Sequence, residues 1–133
     1  MKKSALLNSE LSYEIAKLGH TQTITIGDAG LPMPSGVKRI DLAVSKAVPS
    51  FLDVLDAALS EMEVEKITLA GEIKEKSPWM LDEISKRFDP RKVKTEFVSH
   101  EQLKKLTEGS EAAVRTGEAT PYANIILASG VTF

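Results

Sequence analysis

The stretch Thr23-Ile24-Thr25-Ile26-Gly27-Asp28-Ala29-Gly30-Leu31-Pro32-Met33-Pro34-Ser35-Gly36 decides the fold class. Its first four residues are all β-branched, the composition of a short strand. Residues 27–30 then supply turn chemistry, and two prolines keep residues 31–36 stiff and extended. Upstream, Asn8 or Ser9 can cap a helix whose apolar face runs through Leu11, Ile15 and Leu18, with Gly19 expected to end it in the left-handed conformation. Downstream, a strand is expected over 37–44, followed by a helix that Pro49 opens and that turns Phe51, Leu55, Ala58, Leu59 and Met62 to one side. Residues 64–70 read as a buried strand. Ser77 and Pro78 supply a cap and a first-turn proline for a helix through Leu81, Ile84 and Phe88, and a strand follows over 93–98. Ser99 and Gln102 have the spacing of a capping box for a helix starting at His100. Two further strands, over 112–115 and 125–128, flank a long polar loop, 116–124. Strands alternating with helices predict an α/β chain: a single three-layer α/β/α domain, residues 1–133, around a mainly parallel sheet.

Composition narrows the function. With 133 residues, 42% hydrophobic and 27% charged, the chain fits one core, and a domain of this size folds without disulfides or a structural metal. It has no cysteine, which excludes thiol catalysis and thiolate metal sites. A net charge of -2 and the absence of a long basic run give no footprint for nucleic acid or an anionic membrane. The amino terminus lacks the apolar run of a signal peptide, and no stretch has the ~18 apolar residues of a membrane helix, so a cytoplasmic location is expected. Small-molecule chemistry is the expectation that remains.

In open α/β sheets ligands bind beyond the carboxyl ends of strands. Three loops qualify: 27–36, 99–100 and 116–124. They carry Asp28, His100, Tyr122 and Asn124. A sugar hydroxyl both donates and accepts, so a site for it needs an acceptor-only carboxylate beside two-way groups such as phenol and carboxamide. No phosphate cradle accompanies them.

Two longer motifs resemble one family. Gly19-His20, then Ile24, Ile26, Asp28-Ala29-Gly30-Leu31-Pro32, Pro34 and Gly36-Val37 is similar to the amino-terminal signature of the D-ribose pyranase and fucose mutarotase family. Arg115-Thr116-Gly117-Glu118 with Thr120-Pro121-Tyr122-Ala123-Asn124 resembles its carboxy-terminal signature. Ser99-His100-Glu101 and the ending Gly130-Val131-Thr132-Phe133 agree as well, whereas between about Glu72 and Lys94 only the helix and strand pattern matches. The resemblance implies interconversion of pyranose and furanose forms of D-ribose, in support of ribose uptake and phosphorylation. It implies His20 as the general acid, substrate contacts from Asp28, His100, Tyr122, Ala123 and Asn124, and no cofactor. It further implies a homo-oligomer, two stacked pentamers, with sites between subunits.

The chemistry is within reach of such residues. Opening a hemiacetal needs a proton on the ring oxygen and loss of the anomeric hydroxyl proton. His20 and His100, the only histidines, suit either step near neutral pH. If the uncatalysed change takes on the order of an hour, its barrier is about 22 kcal/mol, and ~100 turnovers per second require ~8 kcal/mol less. Acid-base assistance and orientation supply that without a metal. Each residue also has a structural reading. His20 can complement a helix carboxyl end, Asp28 can hold its own turn, His100 can sit in a capped first turn with Lys104 on its face, and Tyr122 and Asn124 can serve packing and a turn. A metal held by the two histidines and Asp28 is disfavoured because their spacing matches no ligand motif. A sugar-binding accessory without turnover and a purely structural ring subunit remain as alternatives. Finally, His20 precedes the first strand and Asp28 follows it. Eight extended steps separate them by roughly 20 to 25 Å, so a site using both requires a second subunit.

Overall fold

The computed structural model describes residues 1–133. Eleven elements follow one another: α1 (Ser9–Lys17), β1 (Thr23–Gly27), β2 (Lys38–Asp41), α2 (Phe51–Leu59), β3 (Val64–Ala70), α3 (Ile73–Lys76), α4 (Pro78–Ser85), β4 (Lys94–Val98), α5 (His100–Thr107), β5 (Ala112–Arg115) and β6 (Ile125–Ser129). The six strands form one sheet in the order β2-β5-β1-β6-β3-β4. Five of them run the same way. Only β6 is antiparallel, to β1 on one side and β3 on the other.

Alternation along the strands sorts side chains onto two faces. One face presents Ile24, Ile26, Val114, Ile125, Leu127, Ile67 and Leu69, and α1 to α4 cover it in the larger core through Leu11, Ile15, Phe51, Leu55, Met80 and Ile84. The opposite face is built from smaller residues. There Ala70 and Ile126 pack against Leu103 of α5 and against Leu31, which folds back from the proline-rich segment. The result is three layers with a thin second outer layer, since α5 is its only helix.

Several expectations are corrected. Gly19 is not left-handed, because α1 ends at an extended Leu18; the positive φ falls on Thr21, at 69°. The strand expected over 37–44 shortens to Lys38–Asp41; the Leu42 N–H makes the last bond to β5, on the Arg115 carbonyl at 2.9 Å, and the Val44 N–H then turns to the Val48 carbonyl at 2.9 Å. Pro49 lies outside α2, which Ser50 caps by accepting the Asp53 N–H at 3.1 Å. Ser77 makes no cap: its hydroxyl donates to the Pro121 carbonyl at 2.7 Å. The helix it precedes stops at Ser85 rather than reaching Phe88. The one-turn helix α3 was not anticipated at all, being too short for a periodic signal.

The antiparallel strand matters most for function. Ile125 at the start of β6 stands opposite Ile26 near the end of β1 and Leu69 near the end of β3. The segment before β6 is therefore inserted between the carboxyl ends of two parallel strands. The far end of β6 returns beside the start of β1, where Thr23 faces Ala128.

Candidate active site

Asp28 follows the last residue of β1. Its backbone N–H donates to Asn124 Oδ1 at 2.9 Å, and its own Oδ1 accepts from the Gly30 N–H at 2.9 Å. A side chain at Gly27 would bring a Cβ to 2.9 Å from Leu31 Cβ and 3.0 Å from Asn124 Oδ1, so only glycine lets these groups close over the strand end. Burial pushes the Asp28 carboxyl above its ordinary value, opposed in turn by the Gly30 N–H, the adjacent Asn124 side chain, the Leu31 N–H and the neighbouring His100.

The loop 116–124 is polar in sequence but largely enclosed. Thr116 donates both its N–H and its hydroxyl to the Gly27 carbonyl, at 3.0 and 2.8 Å. Glu118, 8% exposed, accepts the N–H groups of Phe51, Ala119 and Thr120 and the Thr120 hydroxyl, at 3.1, 3.0, 3.1 and 2.9 Å. It thereby ties the loop to the first residue of α2. Burial alone would raise this carboxyl, but the four donors outweigh it and hold it below the usual glutamate value. Arg115 braces the other side, donating to the Ala29 carbonyl at 3.0 Å while pairing with Asp41 at 3.2 Å.

These anchors present Tyr122, Ala123 and Asn124. Tyr122 sits at φ 62°, a conformation a bulky side chain adopts only when its surroundings enforce it. Its ring meets that of His100 edge-on, centroids 5.2 Å apart and planes at 86°. Ala123 is fully buried, and its side chain belongs to the core cluster, leaving backbone as its means of contact with any ligand. His100 opens α5, capped by Ser99, whose hydroxyl accepts the Gln102 N–H at 3.1 Å. The His100 N–H itself is taken by both oxygens of Glu72, at 3.1 and 3.0 Å. Lys104, on the face of His100, is paired with Glu101.

Two buried polar atoms have no partner within the chain: His100 Nδ1 and Asn124 Nδ2. An unsatisfied buried donor or acceptor costs about 1–3 kcal/mol. Both lie in the group formed by Asp28, His100, Tyr122 and Asn124. An acceptor-only carboxylate, an amide donor, an imidazole nitrogen and a phenol thus converge where a ligand rich in hydroxyls would satisfy all of them. No group of three or more His, Asp or Glu side chains is arranged to hold a metal ion.

His20 is elsewhere. It lies in the turn before β1, at the opposite end of that strand from Asp28, with Nε2 2.8 Å from Glu65 Oε2. Beside it is a cleft of about 360 Å³, lined by Leu18, Glu63, Gly130, Val131 and Phe133 among others. The five residues of β1 and its flanking turns put ~20 Å between His20 and Asp28. One chain therefore gathers five of the six expected residues and leaves His20 apart.

Sequence reasoning missed Glu72, Glu118, Arg115 and Ser77, which hold the site without touching the place a ligand would occupy. Glu118 and Arg115 lie within the carboxy-terminal motif, the one available signal. Glu72 and Ser77 fall where the motif match lapses, and their partners are 28 and 44 residues away.

Residues 1–132 match the RbsD / FucU transport protein family. The chain belongs to this family. Among its RbsD / FucU relatives, a D-ribose pyranase of Rhodopirellula baltica is 55% identical over the full length of both chains. One of Actinobacillus succinogenes is 52% identical, also over the full length of both. The structure of Bacillus subtilis RbsD complexed with D-ribose superposes with a TM-score of 0.94 at 45% identity, covering all of both chains. The fucose mutarotase of Streptococcus pneumoniae in complex with L-fucose shares the fold, with a TM-score of 0.81 at 23% identity and full coverage of both.

Proposed function

We propose that this chain interconverts the pyranose and furanose forms of D-ribose by general acid-base catalysis, without a cofactor. One observation carries the reading: two buried, unpartnered polar atoms flank Asp28, in a chain 55% identical along its whole length to a D-ribose pyranase. Asp28, His100, Tyr122, Asn124 and the Ala123 backbone hold the sugar. Asp28 accepts from one hydroxyl, Asn124 Nδ2 donates to another, and His100 Nδ1 does either according to its tautomer. His20 from a second subunit completes the site as the acid-base group. The oligomer is two stacked pentamers, and the enzyme works in the cytoplasm, feeding a kinase that accepts one ring form. Ribose is favoured over fucose because the relatives at 52–55% identity are D-ribose pyranases, whereas the fucose-bound relative stands at 23%.

The family's description as transport proteins favours a second reading, a sugar-binding accessory without turnover. Exchange NMR on ribose and fucose, run side by side, separates the two. We expect exchange between ribose ring-form signals to accelerate in proportion to added protein and fucose to respond less. Shifted signals without faster exchange would establish binding alone, and equal acceleration of both sugars would remove the ribose preference.

A further inference from the structure

Glu65 is the extra residue of a β-bulge. Val64 pairs with Ser129 and Lys66 with Ala128, so two steps along β3 answer one step along β6. A bulge re-aims the side chain it carries, and here it directs Oε2 to within 2.8 Å of His20 Nε2. The backbone that carries the imidazole is fixed by its own turn. The Gln22 N–H closes a turn onto the Gly19 carbonyl at 3.3 Å, Thr21 takes the left-handed position, and the Thr21 N–H binds the Ser129 carbonyl at 2.9 Å. Ser129 therefore anchors both partners, as the ladder neighbour of Val64 and as the acceptor for the turn that bears His20.

A carboxylate only accepts, so the hydrogen of a neutral His20 resides on Nε2 and the lone pair on Nδ1. Nδ1 makes no hydrogen bond within the chain, and the cleft beside the ring gives another molecule room to approach. We propose that Glu65 is a positioning residue for His20, holding hydrogen on Nε2 so that Nδ1 is the atom that exchanges protons with the sugar. This rests on the reading of His20 as the acid-base group. In the opening step Nδ1 removes the anomeric hydroxyl proton as the C1 carbonyl forms and the bond from C1 to the ring oxygen breaks. The imidazolium returns that proton to the departing ring oxygen, so atoms and charge balance with no co-reactant. Closure by a different hydroxyl runs the same steps backwards. Orientation of an imidazole by a carboxylate on its other nitrogen is the logic of the serine hydrolase triad.

The test compares wild-type protein with E65A, E65Q and H20A, all as the assembled full-length chain. Both His20 and Glu65 are about half exposed, so neither change removes a core side chain, and melting curves confirm the fold. In wild type the ¹⁵N shifts of the His20 ring should show hydrogen on Nε2. In E65A they should move to a tautomer mixture, and the rate of ribose exchange at saturation should fall about 10-fold, part of the 10²–10⁴-fold contributed by such a group, while half-saturating ribose is unchanged. In E65Q, whose amide oxygen still accepts from Nε2, the rate should lie between the two. Wild-type tautomer or wild-type saturating rate in E65A overturns the role of Glu65. If H20A also exchanges ribose at the wild-type rate, the acid-base reading of His20 falls with it; if H20A is inactive, only the Glu65 proposal is lost.

Discussion

At Asp28 the demands of folding and of ligand binding conflict. Burial raises its folded-state value above the 3.8 of a free aspartate, so the folded chain holds the proton more tightly than the unfolded chain. The sign follows from linkage: the stability this group contributes is largest when it is protonated, and is lost as pH rises from 3.8 through the raised folded value. At neutral pH the ionised carboxylate is therefore a net cost to the empty protein. Asp28→Asn keeps an Oδ1 for the Gly30 N–H and removes the charge. We expect the variant, without sugar, to melt at or above the wild-type temperature at pH 7, and to lose the rise in melting temperature that ribose gives the wild type. Thermal scans with and without ribose check both halves. A lower melting temperature would show that the charge supports the fold, and retained stabilisation by ribose would remove Asp28 from the sugar contacts. The residue types of the site were legible because a strand-end carboxylate beside a phenol and a carboxamide is a recognisable set. That His100 Nδ1 and Asn124 Nδ2 are buried and unpartnered was not legible, since burial of a single atom depends on neighbours from four elements.

At the scale of an element, the loop 116–124 acts as a braced platform. Its composition reads as solvent-exposed, yet Thr116, Gly117 and Glu118 are buried, because their polar groups find partners on β1 and α2 rather than in water. Glu118 has a folded value lowered below 4.5. Its contribution to stability is present above 4.5 and is lost as pH falls through the folded value. Glu118→Gln leaves one acceptor oxygen for four donors. It should cost about 1–3 kcal/mol at neutral pH and reduce the fall in melting temperature on acidification below pH 4.5. Ribose affinity should also fall, because Tyr122 to Asn124 lose their brace. Melts across the acid range and a ribose titration measure these, and an unchanged acid slope would show that Glu118 does not supply it. Caps show the same division at this scale. The caps at Asn8 and Ser99 are legible because a cap's partner lies three residues ahead; Ser50 obeys the same rule, although Pro49 is the expected opening of that helix. Ser77 was misread because its partner, Pro121, is brought by the tertiary fold.

For the whole molecule the decisive geometry is that His20 and Asp28 lie beyond opposite ends of the central strand β1, about 20 Å apart. If one active site uses both, two chains contribute to it. Mixing inactive His20→Ala with inactive Asp28→Asn, under conditions where subunits exchange, should then restore activity in the sites that draw each group from the intact chain. With random equal mixing that is about a quarter of the sites. Exchange NMR on the mixture, with unmixed variants as controls, measures the recovery. No recovery, in the face of demonstrated subunit exchange, would place the two groups in unrelated roles. No helix of the chain is long and apolar enough to cross a membrane.

The sequence by itself determined that strands and helices alternate, where the longer ones lie to within a few residues, and which residue types stand at strand ends. These are local properties, written in the side-chain period and in the dihedral preferences of glycine, proline and β-branched residues. Only the tertiary structure decided that β6 runs against its neighbours, that this inserts Asn124 beside Asp28, and that a bulge turns Glu65 toward His20. Strand direction and register are settled by hydrogen bonds between residues dozens of positions apart, and no periodicity along the chain encodes which distant partner will close them.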